Sequence, residues 1–217
     1  MSPTSSCPLC LRITRDSDCL VGDLGTVFRR CAHCQLIFRT EPDYPEAEDK
    51  KARYLEHKNS ADDRGYVDFL LRPYHFAQKH WDLPGPMLDY GCGYAPVFTQ
   101  LMRDRGHRCD GYDPFFFPEG IQRETYPTIF CIETAEHFHA ARTEWRHLLE
   151  LMAPGGYLTV TTDFWRDLDE FPQWYYQKDP THVSFYHLDT LKFIAGEFQR
   201  ELLHTDGHRL ALFYRPN

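Results

Sequence analysis

The chain has 217 residues, 42% of them hydrophobic, which is enough to bury one full α/β domain and carry a small appendage. A formal net charge of −8 gives no electrostatic reason to expect duplex DNA or an anionic membrane as partner. Met1–Cys7 is small and polar, unlike a signal peptide, and no apolar run approaches the roughly 20 residues that span a bilayer.

A cytoplasmic protein is therefore expected. Reducing compartments keep thiols free, so the eight cysteines call for an explanation other than disulfides. Cys7-Pro8-Leu9-Cys10 and Cys31-Ala32-His33-Cys34 form two CxxC pairs. One such turn brings two thiolates to one ion, and two turns close a tetrahedral four-cysteine zinc site. Gly22, Gly25 and the run Leu24–Phe28 suit a short β-hairpin, with Leu36–Phe38 as the strand after it. Residues 1–40 read as a zinc ribbon whose folding energy comes from its structural metal. Cys19 and His33 are not needed as ligands. A redox role is the rival reading, but two evenly built pairs suit a metal better than two redox centres.

Residues 41–63 read as a linker or lid. Pro42 and Pro45 punctuate its start, and Lys50–His57 has helical character. Tyr54–Ser60 is rich in hydrogen-bonding side chains, as either a lid over a cofactor or a solvated helix and turn. Tyr66, Phe69, Leu70, Tyr74 and Phe76 then recur at helical spacing. The pattern predicts a helix over Asp63–Lys79, kinked or broken near Pro73. Trp81–Pro86 is a loop.

Met87–Ala95 reads as a strand ending in a glycine turn. A helix over Pro96–Arg105 follows, then a second strand, Arg108–Tyr112, ending in Asp113. Glycines at such a turn let the backbone approach a ligand, and an acid about 20 residues on can accept hydrogen bonds from a ribose diol. Ala95-Pro96 stands where a dinucleotide-binding fingerprint has its third glycine.

Leu88-Asp89-Tyr90-Gly91-Cys92-Gly93 resembles motif I of class I S-adenosylmethionine-dependent methyltransferases. The resemblance implies that Asp89 helps fix the methionine ammonium end, that Gly91 and Gly93 pass under the cofactor with Cys92 between them, and that Asp113 takes the ribose hydroxyls. Glu133, at the end of a later strand, joins this cofactor-binding set. Leu148–Leu158 resembles the family's helix, Pro-Gly-Gly turn and fifth strand. Glu201–Leu203 and Leu210–Tyr214, joined by Asp206-Gly207, resemble its antiparallel last strand pair, and the Asp-Gly turn is a hairpin signal in its own right. The resemblance covers about residues 64–217. It departs at Asp113–Cys131, which is too short for the family's third strand and the helix before it. Phe115, Phe116 and Phe117 there wall an adenine or pack into the core.

Ile129–Ile132 reads as a buried strand that ends in Glu133-Thr134-Ala135-Glu136-His137-Phe138. Strand ends of this kind face the ligand crevice of an open α/β sheet. If a helical turn starts there, Glu133, Glu136 and His137 share one face. His182, in Asp179–Phe185, lies downstream on the same sheet edge. The cluster resembles that of ubiquinone-biosynthesis O-methyltransferases and of methyltransferases acting on the 2′-hydroxyl at small-RNA 3′ ends, which share Glu-x-x-Glu-His and a later histidine. That resemblance implies a second divalent metal on Glu133, Glu136, His137 and His182, engaging vicinal substrate oxygens. Three readings stay open: a metal site, a pocket in which His137 or His182 is a general base alongside Glu136, and acids that only complement a helix dipole.

Trp165, Phe171, Trp174, Tyr175 and Tyr176 either line a pocket for a planar or apolar acceptor or pack a loop. Tyr186 and His187 read as structural, at the start of a helix over Leu188–Phe198, and Cys92, Cys109 and Cys131 as small buried hydrophobes. The expectation is an α/β fold with a mostly parallel Rossmann-like sheet, an antiparallel last strand and a small N-terminal zinc ribbon. The expected activity is O-methylation of a small molecule by S-adenosylmethionine. The rivals are RNA methylation with the ribbon gripping nucleic acid, which the acidic balance and the sparse basic residues of 1–40 disfavour, and a non-catalytic module on a methyltransferase scaffold.

Overall fold

The computed structural model describes residues 5–15, 18–22, 25–40, 55 and 60–217. The readings of Lys50–His57 as a helix and of Tyr54–Ser60 as a lid fall almost wholly outside these residues.

The ribbon contributes β1 (Cys19–Val21), β2 (Val27–Arg30) and β3 (Ile37–Arg39). The rest of the chain supplies α1 (Arg64–Gln78), β4 (Met87–Tyr90), α2 (Val97–Asp104), β5 (Cys109–Tyr112), β6 (Tyr126–Ile132), α3 (Ala141–Glu150) and β7 (Met152–Thr161). Then come β8 (Ser184–Phe185), α4 (Leu188–Glu197), β9 (Glu201–Thr205) and β10 (Leu210–Tyr214). The main sheet has the order β5-β4-β6-β7-β10-β9. Its first four strands are parallel and its last two antiparallel. Residues 113–125 hold a single bridge, Asp113 to Phe117, in place of a third strand, as their length implied. β5 is therefore an edge.

β4 is buried at all four positions, as suits a central strand covered on both faces. Asp63 caps α1 by accepting from the amides of Gly65 and Tyr66. The expected break at Pro73 does not occur: α1 runs through it. Leu70, Leu71, Tyr74 and Ala77 are buried on either side, and this packing outweighs the one hydrogen bond that proline removes. The expected turn at Ala153–Gly156 is a bulge inside β7. Tyr126 faces Met152 and Thr128 faces Tyr157, so the strand takes up the extra residues with Gly155 at φ +71°.

The two CxxC turns are near copies. Leu11 N–H donates to Cys7 O and Gln35 N–H to Cys31 O, at 2.9 and 2.8 Å. Leu11 and Gln35, each directly after its second cysteine, have φ of +63° and +61°. Both occupy the left-handed region that glycine normally fills, and nothing in their side-chain chemistry marks them for it.

The ribbon shares its core with the main sheet. Cys7, Leu9, Leu36 and Phe38 pack in one buried cluster with Leu88, Trp145 and Leu158. β3 pairs with β8, so the ribbon sheet is completed by two residues from the C-terminal half. Trp165 Nε1 donates to Gln35 O at 3.1 Å. Trp165, Phe171 and Tyr176, three of the five loop aromatics, pack with Phe28 and Ile37 of the ribbon, with Trp174 against them, and so join the two parts.

Tyr186 lies at the centre of this join. It is fully buried; its hydroxyl accepts from Trp145 Nε1 at 3.0 Å and donates to Ala135 O at 2.9 Å. We predict that Tyr186→Phe, which takes the hydroxyl from the buried Trp145 Nε1 while Ala135 O keeps the amide of Phe138, lowers stability by about 1–3 kcal/mol in urea unfolding. An unchanged midpoint would contradict this.

Candidate active site

The carboxyl ends of β4, β5 and β6 open onto one cavity of about 960 Å³. At one end it is lined by Asp89, Gly91, Cys92, Gly93 and Asp113, at the other by Glu133, Glu136, His137, Tyr176 and His182. The two motifs, some 40 residues apart in sequence, thus meet in a single space.

The glycine turn is shaped by two acids. Pro96 heads α2 but offers no side-chain cap. Asp89 takes that role from the neighbouring strand, accepting from Thr99 N at 3.1 Å and Thr99 Oγ1 at 2.7 Å. Burial pushes its carboxyl up to about 7, although the Thr99 bonds pull the other way. Asp113 accepts from Gly93 N at 3.2 Å and from the amides of Phe115 and Phe116 at 2.9 and 3.1 Å. Its carboxylate is thereby held against the glycine turn. Gly91 has φ +86°, and a Cβ there would lie 2.2 Å from Thr134 Oγ1. Gly93 has φ +66° with open space where a Cβ would stand. The backbone is bare on the cavity side, which is the shape a cofactor lying over it needs.

The phenylalanines after Asp113 are not core residues. Phe115 and Phe116 are half-buried and Phe117 is exposed, and Phe115 lines the cavity. With no third strand beside β5 the rings stay near the surface, Phe116 packs edge-on against Tyr94, and of the three Phe115 lines the cavity.

The acid–histidine cluster differs from the expected helical face. Glu133 has φ +46°, so no helix runs through it, and the turn that follows is a short 3₁₀ segment over Ala135–His137. Glu136, His137 and His182 each present a ligand atom within 4.8 Å of the others. Glu133 stands outside this group; its Oε2 accepts from Tyr176 at 3.3 Å. The expected set of four thus becomes three. Glu133 leaves β6 in left-handed backbone and lines the same cavity.

Both imidazoles are held in a defined tautomer. His137 Nδ1 lies 2.9 Å from Thr181 O and His182 Nδ1 lies 2.7 Å from Tyr176 O. A carbonyl only accepts, so each Nδ1 carries a proton, and in neutral His182 the lone pair sits on Nε2. Burial, and then the neighbouring His137, push His182 down to about 3. Burial pushes Glu133 and Glu136 up to about 7. Glu136 Oε2 and Glu133 Oε1 are buried without a hydrogen-bond partner. An orphaned carboxylate oxygen beside two fixed imidazoles is a donor set that fits a divalent cation.

Of the loop aromatics, Tyr175 and Tyr176 reach the cavity; Tyr175 OH donates to Asp163 at 2.8 Å, beside Arg209. Sequence reasoning missed Arg209, Glu144 and His147, which also line the space. Glu144 and His147 lie on a helix with no motif around them, and Arg209 lies in the bend of the Asp206-Gly207 hairpin, whose turn signal says nothing of a cavity. His187 caps α4, in keeping with its structural reading.

The four ribbon cysteines form the second cluster, again within 4.8 Å. Cys7 and Cys34 sulfurs are 3.6 Å apart and Cys10 and Cys31 sulfurs 3.4 Å apart. A tetrahedron with metal–sulfur bonds of about 2.3 Å has edges of about 3.8 Å, so the spacing fits zinc.

A family described as a methyltransferase domain matches residues 52–205. Among curated proteins no relative matches the chain by sequence. Among solved structures, 1,6-didemethyltoxoflavin-N1-methyltransferase of Burkholderia thailandensis, with 1,6-didemethyltoxoflavin and S-adenosylhomocysteine bound, is similar with a TM-score of 0.59 and 12% identity. The match covers 92% of this chain and 100% of that one. An O-methyltransferase family protein of Burkholderia thailandensis is similar with a TM-score of 0.55 and 14% identity, over 81% of this chain and 65% of that one. At such identities the likeness speaks for the fold, and the match over 52–205 speaks for the family. The order of the main sheet and the glycine turn at its centre agree with both, and the chain belongs to the S-adenosylmethionine-dependent methyltransferases of class I.

Proposed function

We propose that the protein methylates a hydroxyl of a small-molecule acceptor, with Glu136, His137 and His182 facing that hydroxyl. The observation that carries this reading is the one cavity in which the glycine turn and the three side chains stand together.

S-adenosylmethionine supplies a methyl group on a positively charged sulfur, open to in-line attack by an oxygen. Asp113, already aligned by three amides, receives the ribose hydroxyls. Gly91 and Gly93 keep the backbone bare beneath the cofactor, with Cys92 between them, and Asp89 faces the ammonium end while it holds α2 in place. His182 is neutral and its Nδ1–H is committed to Tyr176 O, so Nε2 is the atom that takes the acceptor's proton. Together with His182, Glu136 and His137 orient the same hydroxyl. These three residues also suit a divalent cation, which when bound lowers the pKa of an acceptor hydroxyl.

Several features favour a small acceptor over RNA. The cavity wall carries Asp89, Asp113, Glu133, Glu136, Glu144 and Asp179 against Lys178 and Arg209, a balance that repels phosphate. Arg29 and Arg39 of the ribbon are buried, so neither reaches a backbone phosphate. The Burkholderia enzyme with 1,6-didemethyltoxoflavin is a precedent for a small acceptor in this fold. The missing third strand motivates a non-catalytic module, but the cavity and its acids are complete without it. A structural zinc on Cys7, Cys10, Cys31 and Cys34 fits a reducing, cytoplasmic setting, and no helix among the described residues is long and apolar enough to cross a membrane.

Native mass spectrometry of the purified protein is expected to show one retained zinc and binding of S-adenosylhomocysteine. An additional ion stripped by mild chelation identifies the Glu136–His137–His182 site, and full activity in chelated buffer removes the metal from the mechanism. Gly91→Ala should weaken S-adenosylhomocysteine binding at least about tenfold by calorimetry, through its clash with Thr134 and its positive φ. Gly196→Ala, in a helix with open space around it, should leave binding intact and add about 0.5–1 kcal/mol of stability. Glu136→Ala should slow methyl transfer to a catechol probe about 100-fold with cofactor affinity unchanged; equal rates would sink the assignment.

A further inference from the structure

The loop that carries His182 is held from the ribbon side by one buried guanidinium. Arg39, the last residue of β3, is 5% exposed. Its Nε donates to His182 O at 3.2 Å, and its Nη2 donates to Gln177 O at 3.1 Å and Asp179 O at 3.2 Å. Its backbone N–H donates to Val183 O at 2.9 Å. The guanidinium lies over the Phe28 ring, with 5.2 Å to the centroid, and Nη1 approaches Thr26 Oγ1 at 3.5 Å. Three carbonyls of one loop converge on one planar fork, a geometry that lysine's point charge cannot reproduce.

On its other side the loop is held by the catalytic segment. Val183 N–H donates to Glu136 O at 2.8 Å, and His137 bonds Thr181 O. Within the loop Asp179 Oδ1 accepts from Thr181 N and Oγ1, which sets the turn. His182 thus sits between Arg39 and the Glu136–His137 turn, and Tyr176 O, which receives its Nδ1 proton, immediately precedes an Arg39-bound residue.

We propose that Arg39 is a positioning residue for His182: through it the ribbon sets the orientation and tautomer of an imidazole in the acceptor site. The ribbon is then a structural wall of the methyltransferase site. The proposal rests on the assignment of His182 to that site, yet its test needs neither acceptor nor methyl transfer.

The test is NMR of the full-length, zinc-loaded protein with ¹⁵N-labelled histidine, signals being assigned with His137→Gln and His182→Gln. The wild type should show protected Nδ1–H protons for both residues. In Arg39→Ala the His182 Nδ1–H signal should be lost while that of His137 remains, and S-adenosylhomocysteine affinity should stay within about twofold, since the glycine turn lies on other strands. Arg39→Lys, which keeps the charge but not the fork, should show a weakened His182 signal and carries the test if the alanine variant does not fold. Arg29→Ala is the control: Arg29 is equally buried on β2 and donates to Arg15 O, so its loss disturbs the ribbon without releasing the loop. An unchanged His182 signal in both Arg39 variants overturns the proposal, as does loss of both histidine signals alike in the Arg39 and Arg29 variants. Absence of S-adenosylhomocysteine binding in the wild type would instead count against the methyltransferase site and leave the His182 readout intact.

Discussion

Two residues of backbone pairing hold this structure together. Ile37 and Phe38 of the ribbon pair with Phe185 and Ser184, which immediately follow the loop bearing His182. A ribbon of this size cannot bury enough apolar surface alone. By borrowing β8 it extends its sheet across the chain and places Phe28 and Ile37 against Phe171 and Phe185. The same pairing fixes where the loop from Gln177 to His182 begins its return, and hence where the histidine meets Glu136. Ribbon stability and site geometry are consequently one problem.

The cavity is an electrostatic vacancy for positive charge. Asp89, Glu133 and Glu136 are all pushed up to about 7 by burial, so each carboxylate is held in surroundings that disfavour its charge. A sulfonium cofactor at one end and a cation or a proton-bearing acceptor at the other would relieve this. Of the two imidazoles, His182 contributes no compensating charge, since burial drives it down to about 3.

Three of the five non-glycine residues with left-handed backbone among the described residues lie beside the two sites; Leu83 and Gln199 lie elsewhere. Leu11 and Gln35 adopt left-handed conformations beside the cysteines, and Glu133 does so beside the acid–histidine cluster. Each such residue costs of order 1–3 kcal/mol, which surrounding contacts must offset. Around Glu133 these are the bonds of its amide to Thr161 O and Oγ1, at 2.9 and 3.1 Å. The absent third strand has the opposite effect: it leaves β5 as an edge and lets Phe115 form a wall of the cavity.

Much of this was written in local sequence. The two CxxC pairs, the glycine turn between a strand and a helix, Asp113 at the next strand end and the Asp206-Gly207 hairpin depend on residue types at short spacing, and spacing survives folding. The shortness of residues 113–125 sufficed to remove the third strand. Tertiary structure alone decided what depended on long-range packing or on backbone conformation without a residue signature. Burial on both sides of Pro73 kept α1 continuous. Of the expected set Glu133, Glu136, His137 and His182, the last three came within reach of one another, and Glu133 bonds Tyr176. The loop aromatics divided, Trp165 and Phe171 packing on the ribbon, Tyr175 reaching the cavity and Tyr176 doing both. Arg39 has no motif around it, because the three carbonyls that give it a role lie some 140 residues away and assemble only when β3 meets β8.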